Sequence, residues 1–128
     1  MAERLARMLY PEHHWESAGV LPSGLMHPMT AKVLRERGAE TSRFHGRFVG
    51  SLDLGSYDHI VLIGESARDM TPPAPEHVKV HFWKIPDPFN AIGTPERVLN
   101  VYRGCADIIE EFLDRLVASQ APPLPGCA

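Results

Sequence analysis

The sequence predicts an α/β fold in which helices are layered against a mainly parallel sheet. Three observations carry that prediction. Ile60-Val61-Leu62-Ile63 and Val78-Lys79-Val80-His81-Phe82 are short runs rich in β-branched and aromatic residues, as strands are. Apolar residues recur every three or four positions in the stretches before, between and after them, as in helices with one buried face. The order helix, strand, helix, strand, strand, helix then makes crossovers between parallel strands the simplest connection.

The elements follow from local chemistry. Ala2, Leu5, Ala6, Met8 and Leu9 form a helical stripe, with Glu3, Arg4 and Arg7 expected in water and Pro11 ending the helix. His13 to Val20 reads as a short strand running into a turn. Pro28 stands near the start of a second helix whose apolar face is Met29, Val33 and Leu34, and Gly38 stops it. Residues 39 to 56 are polar and dotted with glycine, mostly loop. His59 to Ile63 is an unbroken core suited to a strand buried on both faces. Ser66 to Met70 allows a helical turn before the Pro72, Pro73, Pro75 breaker. Val78, Val80 and Phe82 then alternate onto one face of a strand. Thr94 and Pro95 are a cap and a first helical residue, and Val98, Val101, Cys105, Ile108, Phe112 and Leu116 give the last helix its stripe. One domain over residues 1–117 and a flexible tail over 118–128 are expected.

Composition narrows the function classes. The chain has 128 residues, 44% hydrophobic and 23% charged, enough for one core without staples. A net charge of -3 offers no electrostatic reason to expect nucleic acid or an acidic membrane surface. No apolar run approaches transmembrane length, and the opening reads as neither signal nor transit peptide, so a cytoplasmic location is the expectation. The two cysteines, Cys105 and Cys127, make neither a disulfide framework nor a metal spacing. No glycine pattern matches a nucleotide loop. No cofactor and no metal are expected.

The candidate chemistry is sparse. His77 and His81, four apart on a strand, lie about 13 Å from each other, too far for one metal. All seven histidines are read as structural or surface groups. Cys105 sits on a buried stripe, where a thiol acts as a small hydrophobe. Arg43 and Arg47, near His45, suit an anion or a solvated loop equally. Trp15 and Trp83 read as packing. Asp87, fixed between Pro86 and Pro88 where a strand gives way to a loop, stands at the strand end where α/β proteins place their chemistry. A stiff turn with an Asx-type hydrogen bond accounts for it as well.

Taken in order, several stretches resemble the low-molecular-weight protein tyrosine phosphatases and the related thioredoxin-coupled arsenate reductases. "MAERLARML" is similar to the helix after the family's phosphate loop, and "SAGVLPSGLMHPMTAKVLRERG" to the following strand end, loop and helix. "YDHIVLIGESARDM" resembles the strand ending in an Asp-x-Ala-Arg segment. "FWKIPDPF" and "GTPERVLNVYRGCADIIEEFLDRL" resemble the general-acid loop and the last helix. The resemblance implies a three-layer, doubly wound, phosphotyrosine phosphatase I-like sheet, with Asp87 matching the acid that protonates the leaving oxygen. It also implies a Cys-x5-Arg loop holding the oxyanion at a helix N-terminus, with a thiolate nucleophile.

That loop and the first central strand precede the first helix in the family, whereas Met1 already stands at this helix. Neither Cys105 nor Cys127 has an arginine six positions on. The reductase branch further carries two cysteines at the positions of Gly64 and Thr71. Phe89 leans toward the phosphatases and Gly93-Thr94 toward the reductases, so the branch stays open. An acid without its nucleophile contributes almost nothing. The expectation is a catalytically inactive, phosphatase-like pseudoenzyme that acts by binding or oligomerisation, with a homodimer through exposed sheet edges. The alternative is a truncated product of a full-length tyrosine phosphatase whose start lies upstream. In the absence of the first strand, three outcomes suggest themselves: the strands at residues 13–18 and 58–64 close up and pair, a second chain fills the gap, or the natural start lies earlier.

Overall fold

A computed structural model describes residues 1–20, 26–42 and 46–120. Helix α1, Ala2–Leu9, and helix α2, Pro28–Glu36, come first. Strand β1, His59–Ile63, leads into the short helix α3, Glu65–Met70. Strand β2, Lys79–Trp83, is followed by the long helix α4, Pro95–Ser119. Single 3-10 turns at Val49–Ser51, Leu54–Ser56 and Pro88–Asn90 break up the loops.

β1 and β2 pair in parallel, with Val61 opposite His81 and Ile63 opposite Trp83. α1, α2 and α4 pack together on one face of this sheet, where Trp83 stacks on Phe112 of α4 with ring centroids 5.2 Å apart. α3 lies against the other face, its Arg68 over the ring of Phe82 at 5.0 Å. This is the α/β layering the sequence predicts. The core is helix-dominated: Leu5, Val33 and Leu34 are fully buried. Withdrawing each such side chain from water contributes about 1.5 to 3 kcal/mol.

The structure corrects four details. Residues 13 to 18 form no strand; a single parallel bridge joins Gly19 to Phe48. Side chains fasten that segment to α1 instead, with Arg7 donating to the Trp15 carbonyl and Ser17 donating to Glu3. It does not close up against β1, and β1 pairs on one side only among the described residues. The second detail follows: no residue of β1 is fully buried, although its composition suits a strand covered on both faces.

Third, the apolar stripes are rotated from those the spacing suggests. On α4 the buried residues are Leu99, Tyr102, Ala106, Ile109, Leu113 and Leu116, while Val101 and Ile108 reach solvent. On β2 Val80 and Phe82 face out, and the core takes Trp83 and, beyond the strand, Ile85. Fourth, Arg4 is buried at 8% exposure rather than facing water. α4 also runs to Ser119, two residues past the expected domain boundary, and residues 121–128 of the expected tail lie outside the described residues.

Candidate functional site

β2 ends at Trp83, and Ile85 turns inward to anchor the loop that follows. Asp87 comes next, exposed between its two prolines. Its Oδ1 accepts a hydrogen bond from the Phe89 amide at 2.9 Å and so caps the 3-10 turn Pro88–Asn90. The Asx-type bond is therefore present. It occupies one carboxylate oxygen and leaves the group at the carboxyl end of a parallel strand.

Two helices bring side chains to this loop. α2 contributes its N-cap, His27, whose Nδ1 accepts from the Met29 amide at 3.1 Å, and Pro28 provides the preset first helical residue. The His27 ring lies flat on Tyr102 of α4, centroids 5.2 Å apart, and meets Phe89 edge-on at 5.7 Å. Phe89 itself is 69% exposed, an aromatic side chain standing in solvent beside the acid. From one turn further along α4, Cys105 reaches the same region half-buried. Met1, just before α1, packs against the core near Cys105.

Their electrostatics interlock. Burial pushes the Cys105 thiol up, opposed by the Met1 amine and reinforced by the Asp87 carboxylate. Burial also raises the Tyr102 phenol, with Asp87 and then Cys105 adding to it. The Met1 amine is lowered by burial, against the pull of Glu3 and Cys105. The thiol therefore stays protonated at neutral pH, the reverse of what a nucleophilic cysteine needs. Cys105 fills space at the edge of the core, off the fully buried stripe on which its spacing had placed it.

The chain matches the model of the low molecular weight phosphotyrosine protein phosphatases over residues 1–121. It belongs to that family. Among curated relatives it is 35% identical over 98 residues to an arsenate reductase of Bacillus subtilis (strain 168), covering 75% of this chain and 69% of the relative. An arsenate reductase of Oceanobacillus iheyensis is 31% identical over 111 residues, 85% of this chain and 78% of the relative. Among solved structures, an arsenate reductase in its reduced state superposes with a TM-score of 0.70 at 20% identity, covering 92% of this chain and 86% of that one. That last likeness speaks to the fold alone.

Other sequence candidates fall elsewhere in this phosphatase-family fold. Arg47 pairs with Glu16 at 3.3 Å, and Arg43 and His45 lie outside the described residues. Trp15 is half-buried and donates its indole N–H to the Tyr10 carbonyl at 2.9 Å. His77 precedes β2 and bonds the Gly55 carbonyl at 2.8 Å, so it does not meet His81. Among the described residues no group of three His, Cys, Asp or Glu side chains is placed to hold a metal ion, and no helix is long and apolar enough to cross a membrane. Sequence reasoning missed His27 and Tyr102 as neighbours of Asp87. The Pro28 that marks a helix start was the available signal for a capping residue at 27.

Proposed function

We propose that these 128 residues are a binding module on the phosphatase and arsenate reductase scaffold and do not themselves turn over phosphate or arsenate. The observation that carries this reading is the company Asp87 keeps. Among the described residues its neighbour with nucleophilic potential is the Cys105 thiol, held protonated by burial, and Cys105 has no arginine six positions on. A general acid with no thiolate to act after has no step to catalyse. The reductase branch, suggested by the names of the two relatives, meets the same obstacle: Gly64 and Thr71 stand where its further thiols belong, and Gly64 has φ +87°, a conformation that strains any cysteine placed there.

Turnover of an aryl phosphate, or thiol-coupled reduction of arsenate, is the test. Neither should exceed the rate without protein. Turnover that disappears in Asp87→Ala sinks the proposal.

Binding would run through β1, and the partner this reading commits to is a second copy of the chain. An antiparallel pairing about Val61 sets the apolar run of β1 against itself and brings the Asp58 end of one copy to the Arg68 end of the other. Sedimentation then gives about twice the 14.3 kDa chain mass; a monomer at high concentration refutes it. The second reading, a longer enzyme containing these residues, rests on the length of the relatives beyond the matched part. It predicts an endogenous protein heavier than 14.3 kDa, which intact-mass measurement decides.

A further inference from the structure

His59 on β1 and His81 on β2 share the helix-covered face of the sheet. They are diagonal neighbours across the ladder, since His59 stands opposite Lys79 and His81 opposite Val61. His59 Nδ1 and His81 Nε2 are 3.0 Å apart, both rings half-buried. The ring centroids are 5.3 Å apart and the planes differ by 27°. The centroid separation exceeds the nitrogen separation by about two ring radii, so the nitrogens point head-on at each other. Two ligands of one metal would converge at an angle instead. The arrangement is an N–H···N hydrogen bond, in which one ring donates and the other accepts.

The surroundings favour keeping charge low. Lys79 lies two residues before His81 on the same strand face. From α4, Arg115 lines the cleft beside His81 together with Trp83 and Phe112, and Glu111 pairs with Arg115. On the other side of the sheet α3 brings Arg68 and Asp69, paired with each other. Asp58, exposed, precedes His59. Burial, then His59, then Lys79 hold His81 below the ordinary imidazole range.

Proton counting gives the consequence. With both rings neutral, one N–H and one lone pair make the bond. A first proton is accommodated, because an imidazolium still donates to a neutral partner and the bond becomes charge-assisted. A second proton removes the last lone pair and sets two N–H donors and two positive charges face to face. We propose that His59 and His81 form a proton-operated latch across the sheet, closed with zero or one shared proton and opened by the second. β2 runs directly into the Ile85–Asp87 loop, so release loosens the footing of that loop. The latch is independent of whether the chain is a binder or part of an enzyme.

Site-resolved NMR titration of the imidazoles, with amide hydrogen exchange of Ile60 to Ile63 in the full chain, tests it. The two rings should titrate as a coupled pair, in two separated steps that belong to the pair rather than to either ring. Protection of the β1 amides should fall about tenfold between about pH 7.5 and about pH 5.5, beyond the intrinsic pH dependence of exchange. The doubly substituted His59→Gln/His81→Gln chain, which keeps hydrogen-bonding side chains but cannot titrate, should lose that fall. Two independent single-step titrations, or the same fall in the variant, overturn the latch. Should the variant not fold, the titration of the unmodified chain decides alone.

Discussion

The Asp87 carboxylate accepts a 2.9 Å hydrogen bond from the Phe89 amide, so the residue that the proposal sets in the place of the family's general acid is also the cap of its own loop. The two roles separate by substitution. Asp87→Asn keeps an acceptor oxygen and should leave stability within about 0.5 kcal/mol, whereas Asp87→Ala should cost about 0.5 to 1 kcal/mol, the lower part of the capping range for an exposed loop. Urea unfolding of both variants is the check, and equal losses would show that the cap contributes nothing.

Arg4 is 92% withdrawn from water by its 8% exposure, and among the described residues its Nε has no hydrogen-bond partner. Among the described residues no carboxylate pairs with it, while Glu3 next to it is engaged by Arg7 at 2.9 Å. A buried polar atom without a partner lowers stability, and the hydrocarbon stem is the part of this side chain that packs well. Arg4→Met should therefore raise the unfolding free energy, by about 1 kcal/mol or more. A lower melting temperature for this variant would mean that the guanidinium has a stabilising partner after all.

Leu34 on α2 is fully buried and sits in the cluster shared with α1 and α4. Leu34→Ala should cost about 2 to 5 kcal/mol, by lost transfer energy plus the cavity left behind. For a domain of this size that is a large part of the total stability, about 5 to 15 kcal/mol. Chemical denaturation should show the midpoint moving with little change in slope, and a loss below about 1 kcal/mol would place Leu34 outside the core.

Cys105 should alkylate slowly. Its thiol is pushed up by burial, with Asp87 adding to the effect, so little thiolate exists at neutral pH. Peptide mapping after iodoacetamide should show Cys105 modified far more slowly than a free thiol, and faster once the chain is unfolded. Rapid modification in the folded chain would give this cysteine a nucleophile's character and undercut the non-catalytic reading.

Acid stability has a sign fixed by Glu36. Its carboxylate is held below the usual range, chiefly by the hydrogen bonds from Arg103 at 3.0 and 2.6 Å. A depressed folded value means the stabilisation is present above the unfolded value of about 4.3 and is lost as pH falls through the lower folded value. Glu36→Gln should flatten the acid limb of a melting-temperature profile below about pH 4.5 and leave the neutral region little changed. An unchanged acid limb would remove this pair from the account.

How much of this was legible beforehand differs by element. α2 and α4 could be read because Pro28, Gly38, Thr94 and Pro95 are local signals acting on their own neighbours. The stripe on α4 was legible only to within one residue. The set beginning at Val98 and the set beginning at Leu99 both have helical spacing, and which one is buried depends on where α1 and α2 sit. Residues 13 to 18 misled for a related reason: strand-like composition becomes a strand only beside a partner, and here Arg7 and Glu3 of α1 supply the contacts instead.

The sequence by itself determined the α/β class, the position of Asp87 at the end of a strand, and the resemblance that the family match bears out. These rest on periodicity, local turn chemistry and residue order, none of which needs distant contacts. Only the tertiary structure decided that β1 pairs on a single side among the described residues, that Arg4 is buried, and that His27 and Tyr102 stand at the Asp87 loop. It also decided that His59 is the partner of His81. Each of those depends on which elements pack against which, and packing brings together residues that share no pattern along the chain.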